Sequence, residues 1–208
     1  MNSNQLPVII RLAEARDAAS IARIHSQSLP GTFMSLLGNG YLTSRFFPKV
    51  VTSRFGKTFV AEVAGSIGGY ITIATNGQLF EDNISQLTFL DYIFIFSSTV
   101  RNPQIAMDLL AIITGSKIHF YEGFSENIFN QHELFAIAVS PSLQNRGIGF
   151  SLMKHAFKEI GINKENKRSC YVKTHSLEAE KFYVQKGGFK KIGTEIRGST
   201  KFKILFRD

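Results

Sequence analysis

The sequence predicts a mixed α/β fold in which one central sheet is flanked by helices. Short apolar or alternating runs bounded by Gly, Pro and Ser recur along the chain and read as strands. Stretches with apolar residues three and four apart lie between them and read as helices. The strand Glu133-Leu-Phe-Ala-Ile-Ala-Val139 then passes through Ser140-Pro141-Ser-Leu-Gln144-Asn145-Arg146-Gly147-Ile148-Gly149 directly into a helix. At 208 residues, 44% of them hydrophobic, the chain supports one sizeable core, and residues 1–208 are read as a single domain.

In chain order, Val8 to Leu12 is a short apolar strand, and Asp17 is placed to cap a helix with Ile21, Ile24 and Ser28 on one face. Pro30-Gly31 ends that helix. A second helix is expected from Phe33 to Phe46, with Leu36, Leu37, Tyr41 and Leu42 inward. Residues 58–63 and 67–74, joined by Ala64-Gly65-Ser66, read as a β-hairpin. Residues 77–131 are rich in apolar and aromatic side chains, and a structureless loop of that length is out of place in a compact fold. The spacing within Ile84–Val100, and of Ile105, Leu109, Ile112 and Ile113 within Pro103–Phe120, predicts two packed helices, a helical insertion. Its aromatic density reads either as extra core or a homodimer contact, or as a wall beside a substrate. After Gly149 a helix (150–161), a strand (168–174), a helix (177–186) and a hairpin (189–195 and 200–206) follow.

The turn before the last-but-one helix carries chemistry. The first amides of a helix have no internal partner and point with the positive end of its dipole, so they can cradle a phosphate. Gly147 and Gly149 lack a Cβ, which lets the backbone approach an anion and adopt φ > 0. A dinucleotide fingerprint would need a third glycine, and a P-loop would need Gly-Lys-Ser/Thr. On these residues alone, an anion site and a plain strand-to-helix turn both stand.

The blocks Val139-Ser-Pro141 and Gln144-Asn-Arg146-Gly147-Ile-Gly149 are followed by Ser176-Leu-Glu-Ala179-Glu-Lys-Phe182-Tyr183 and Gly188-Phe189, and preceded by the hairpin-like Phe59 to Tyr70. In order and spacing this resembles the GNAT superfamily of acetyl-CoA-dependent N-acetyltransferases. The resemblance implies the GNAT fold and acetyl-CoA as co-substrate. It implies that the backbone of Ile137, Ala138 and Val139 binds the pantetheine arm and that the amide near Val139 faces the thioester oxygen. The amides of Gln144, Asn145, Arg146, Gly147, Ile148 and Gly149 would hold the pyrophosphate, with the Arg146 side chain at its border. Tyr183 then becomes the candidate general acid, and Glu133, eleven residues before Gln144, the candidate general base. The plainer readings are a core tyrosine, an exposed strand-end carboxylate and a surface arginine. Ser176 stands where the family usually has Asn, which makes a side-chain contact to the cofactor less secure while keeping a helix cap.

The acceptor implied is a primary amine on a small molecule or peptide, attacked directly in a ternary complex. A catalytically silent acyl-CoA sensor or partner-docking module is the alternative. Composition fits either. Residues 1–153 carry 10 Lys/Arg and 10 Asp/Glu, while residues 154–208 carry 14 and 6, so the whole net charge of +8 lies in the last quarter. A positive field there attracts a polyphosphate cofactor, and a nucleic-acid partner is not expected. Cys170 is the single cysteine and sits in an alternating strand, so an inert core thiol is expected. No His spacing suits a metal, and none is expected. The first residues lack the pattern of a signal peptide and no run of roughly 20 apolar residues occurs, so a cytoplasmic protein with no membrane partner is expected.

Overall fold

The computed structural model describes residues 7–101, 117–121, 126–162, 168–197 and 200–208. Its centre is an eight-stranded sheet in the order β1-β2-β3-β5-β6-β8-β7-β4. The strands are β1 (Val8–Leu12), β2 (Gly56–Val63), β3 (Ser66–Ala74), β4 (Lys117–Tyr121), β5 (His132–Val139), β6 (Cys170–Thr174), β7 (Lys190–Arg197) and β8 (Thr200–Arg207). Neighbours pair antiparallel except β5 and β6, which run parallel. The β2–β3 turn forms as expected because Ala64 (φ 50°) and Gly65 (φ 75°) both take the left-handed conformation that suits a tight hairpin.

The helices are α1 (Ala18–Ser28), α2 (Phe33–Leu36), α3 (Asn39–Tyr41), α4 (Phe47–Thr52), α5 (Gly77–Ile84), α6 (Phe89–Arg101), α7 (Ile148–Ile160) and α8 (Leu177–Gly187). They cover the sheet on both faces. On one face α1 to α6 bury Ile21, Leu42, Phe47, Val50, Tyr70, Phe80 and Ala138. On the other, α7 and α8 bury Ile71, Leu134, Leu152, Met153, Phe157, Val172, Tyr183, Phe189 and Leu205. Fully burying side chains of this size stabilises by roughly 1.5–3 kcal/mol each.

Three expectations need correction. Asp17 does not cap α1 with its side chain: its carboxylate accepts from Arg11 at 2.7 and 3.1 Å and from the Glu14 amide at 2.8 Å, and is used up there. The helix expected over Phe33–Phe46 is broken at Gly38, whose φ of 90° no helix contains. The chain restarts as α3, widens into a π turn at Leu42–Phe46 and continues as α4 past Pro48; Leu37, Tyr41 and Leu42 are nonetheless buried as expected. The insertion is not wholly helical. α5 and α6 are helices, but Lys117–Tyr121, within the stretch expected as a second helix, is strand β4 on the edge beside β7. Backbone pairing to an open edge outweighed a helical spacing that five residues satisfy weakly. The remainder of that predicted helix, 103–116, lies outside the described residues.

Candidate active site

The site begins where two strands part. β5 pairs with β6 only at His132↔Cys170 and Glu133↔Tyr171. Beyond that point β5 stays with β3 through Val139, and β6 stays with β8 through Thr174. The inner edges therefore diverge and leave an opening in the sheet, with the backbone of Leu134 to Val139 along one side. A bulge adds to this, since the β3 pairing passes from Ala136 to Leu134 and skips Phe135. Phe135, Ala136 and Ala138 pack on the α1 face, and Leu134, Ile137 and Val139 on the α7 face.

The end of β5 is pinned from two directions. The Val139 carbonyl accepts from Ser28 Oγ at 2.8 Å, at the last turn of α1, and from Gln144 Nε2 at 3.0 Å. The Gln144 side chain is thus engaged with the protein itself, so any part it plays toward an anion falls to its backbone. Beside Ser28, His25 shares a 2.6 Å hydrogen bond with the Tyr70 hydroxyl, and burial pushes its imidazole down to about 4, so it is neutral at physiological pH.

The turn after Val139 opens directly into α7. Asn145 (φ 61°) and Gly147 (φ 79°) are left-handed, Gly147 is the N-cap, and a Cβ there would meet open space. Gly149 is an ordinary helical residue, which corrects the expectation that both glycines use positive φ. A Cβ on it would touch Phe182 and Val139 at 3.7 Å. Arg146 is exposed beside the turn.

α8 brings the other motif. Ser176 caps it, its hydroxyl accepting from the Ala179 amide at 3.2 Å and donating to Glu178 at 2.9 Å. The residue replacing the family's usual Asn is therefore spent on the helix end. Tyr183 lies one face inward, 6% exposed, its ring edge-on to Phe182 and Phe189. Burial, reinforced by Cys170, raises its phenol above the ordinary tyrosine range, so it is a proton-carrying group at any physiological pH. Cys170 is fully buried and burial raises its thiol, as expected of an inert core cysteine.

Glu133 differs from both readings the sequence offered. It is no exposed strand-end carboxylate: it is 3% exposed, on the face opposite α7. The Tyr171 hydroxyl donates to it at 3.0 Å and Lys173 Nζ stands 3.6 Å away. The start of α5 closes over it, and Gly77 is needed there because a Cβ would fall 1.9 Å from the Tyr171 oxygen and 2.9 Å from Glu133 Oε2. Lys173 also pairs with Glu81 of α5 at 2.7 Å and Glu195 of β7 at 3.6 Å. Sequence reasoning missed Tyr171, Lys173, Glu81 and Glu195. The only hint was Lys173 interrupting an otherwise apolar strand. His132 points the other way, as alternation requires. It borders a cleft of about 380 Å³ with Lys57, Thr75, Glu159, Ile160 and Arg168, at the far end of β5 from the α7 turn.

Comparison with known proteins agrees with this geometry. The family described as "Acetyltransferase (GNAT) domain" matches residues 101–191, which hold both motif blocks. No curated protein sequence matches. Among solved structures, the chain is similar to "histone acetyltransferase HPA2 and related acetyltransferase" from Corynebacterium glutamicum ATCC 13032 at 14% identity, over 96% of this chain and 94% of that one, with a TM-score of 0.59. An N-acetyltransferase from Staphylococcus aureus Mu50 superposes at 17% identity over 97% and 98% with a TM-score of 0.55. The ribosomal-protein-S18-alanine N-acetyltransferase from Escherichia coli does so at 13% over 96% and 92% with a TM-score of 0.53. Likenesses at such identities establish the fold, and the family match falls on the residues that build the turn and α8. Residues 101–191 thus match a GNAT acetyltransferase domain, and the whole chain is similar in fold to acetyltransferases of that kind.

Proposed function

We propose that this protein moves an acetyl group from acetyl-CoA to a primary amine by direct attack in a ternary complex, within one domain spanning the chain. The observation that carries this reading is the left-handed Gly147 turn into α7, set at the end of a strand whose inner edge has parted from its neighbour. Free helix amides suit a pyrophosphate, and an open strand edge suits an amide-bearing arm. When bound, acetyl-CoA supplies the acetyl group as an activated thioester.

The residues divide the work as follows. The amides of Gln144 to Gly149 hold phosphate, Arg146 borders it, and the basic last quarter draws it in. The backbone of Ile137, Ala138 and Val139 aligns the arm, and the amide near Val139 polarises the carbonyl to be attacked. Glu133 takes the proton that the attacking nitrogen sheds, and Tyr183 gives one to the departing sulfur. Because Glu133 is 3% exposed, its proton travels through the Tyr171 hydroxyl or a water. The buried, high-pKa thiol of Cys170 is unsuited to a covalent acyl-enzyme.

Thermal melting with and without acetyl-CoA tests the binding. At 100 times its dissociation constant a ligand adds about 2.7 kcal/mol, and free CoA should stabilise as well. Absence of any shift in the millimolar range refutes the reading. Thiol release with glucosamine, spermidine and an alanine-terminated peptide then tests the transfer; the peptide is included because of the E. coli neighbour's substrate.

One observation favours the second reading, an acyl-CoA-binding module that docks a partner. α6 leaves Phe89, Tyr92, Ile93, Phe96 and Val100 between 50% and 78% exposed, a run on one helical face. Stabilisation by CoA without thiol release from any amine would support that reading over the enzyme.

A further inference from the structure

Lys173 belongs to none of the motifs, yet it stands where four elements meet. Its ammonium is 2.7 Å from Glu81 of α5, 3.6 Å from Glu133 of β5 and 3.6 Å from Glu195 of β7, while its own strand is β6. The Phe129 and Tyr171 rings face it at 5.2 and 5.7 Å. Its side chain is 10% exposed, those of Glu133 and Glu195 4% and 1%. Removing carboxylates from water favours their protonated form, and so does placing them beside one another. Both pressures act on Glu133, from its burial and from Glu81 and Glu195. Opposing them are the Tyr171 hydrogen bond and the ammonium of Lys173. The ammonium brings a full positive charge to 3.6 Å from the carboxylate.

We propose that Lys173 is a positioning residue for acyl transfer: shared among three carboxylates, it keeps Glu133 ionised and fixed at the point where β5 and β6 part. This rests on the reading of Glu133 as the base, because only an ionised carboxylate can take the amine's proton. A plain structural staple would tie α5 and β7 to β6 equally well, but would leave the titration of Glu133 where it is. Sharing also makes the holding adjustable. Any change in how Glu81 or Glu195 engages the ammonium changes how much of its field reaches Glu133.

The test is a pH titration of carboxyl-¹³C-glutamate-labelled full-length protein by NMR, with the Glu133 signal identified by its loss in Glu133→Gln. In Lys173→Met the Glu133 midpoint should rise by about 1–3 pH units, the span an adjacent opposite charge commands. The acid limb of thiol release with the amine found active should move up with it, and Lys173→Arg should return both toward wild type. Glu81→Gln keeps the lysine and removes its nearest competitor, so the midpoint should fall; this variant decides the matter if Lys173→Met does not fold. An unmoved midpoint in Lys173→Met, or in Glu81→Gln where only that variant folds, overturns the proposal. A moved midpoint together with a fully active Glu133→Gln overturns the base assignment and leaves the electrostatic role of Lys173. An unmoved midpoint with an inactive Glu133→Gln does the reverse.

Discussion

Two buried carboxylates on the same side of the sheet are held in opposite ways. Asp91, at the start of α6, is one acid facing two cations: Arg45 at 3.0 Å and Lys49 at 3.1 Å, with the Thr88 amide and hydroxyl adding 2.7 Å bonds. Glu133 is one of three acids around one lysine. Burial pushes the Asp91 carboxyl up, but the bonds from Arg45, Thr88 and Lys49 together outweigh it and hold the group well below the usual range. Its charge state is fixed, and it anchors α6 to the segment before β2. Glu133 instead shares the ammonium of Lys173 with two other acids. Matched charge makes a joint; contested charge makes a group whose state can answer to its surroundings.

The largest expected effect of altering either carboxylate is on rate. Glu133→Gln should lower kcat/KM by about 10²–10⁴-fold, the range for losing a general base, with little change in melting, because an amide still accepts from Tyr171. Tyr183→Phe should lower kcat at the low end of that range, about 10²-fold, with acetyl-CoA binding preserved. Asp91→Asn should do the opposite, leaving rate nearly intact and lowering stability by about 2–3 kcal/mol, since bonds to charged partners are lost while Arg45 and Lys49 can rehydrate. For a chain of this size that is roughly 4–12 °C in melting temperature.

The acid limb of the stability curve sharpens the same contrast. The Asp91 carboxyl titrates below its unfolded value of about 3.9. Its contribution is therefore complete above that pH and disappears as pH falls through the folded pKa. Wild type should lose stability steeply below about pH 4, and Asp91→Asn less steeply; equal slopes in denaturant melts from pH 5 to 2 would contradict the anchoring role. The smallest expected effect is Gly147→Ala. The space around it is open but φ is 79°, so about 1–2 kcal/mol of backbone strain should appear, along with a raised KM for acetyl-CoA.

The α7 turn and α8 were legible because their determinants are local. A glycine at the left-handed N-cap, a serine capping α8 and an aromatic pair at fixed spacing act through covalent geometry and near neighbours, so the order of residues is enough. The hairpin at Ala64-Gly65 was legible for the same reason. Glu133 could be picked out, but its surroundings could not: Glu81, Tyr171, Lys173 and Glu195 are scattered over 115 positions and meet only when α5 closes on the sheet.

Residue order alone fixed the mixed sheet, the left-handed turn into α7 and the place of Tyr183 on α8, since backbone conformation and apolar spacing are written residue by residue. Folding in three dimensions set the parting of β5 from β6 after Glu133, the Phe135 bulge that moves Ala136 and Ala138 to the other face, and the pairing of Lys117–Tyr121 as a strand. It also decided that Glu133 is buried beside a shared lysine and not exposed at a strand end. Strand pairing, burial and the division of one charge among several acids are properties of neighbours brought together by folding, and no local pattern encodes them.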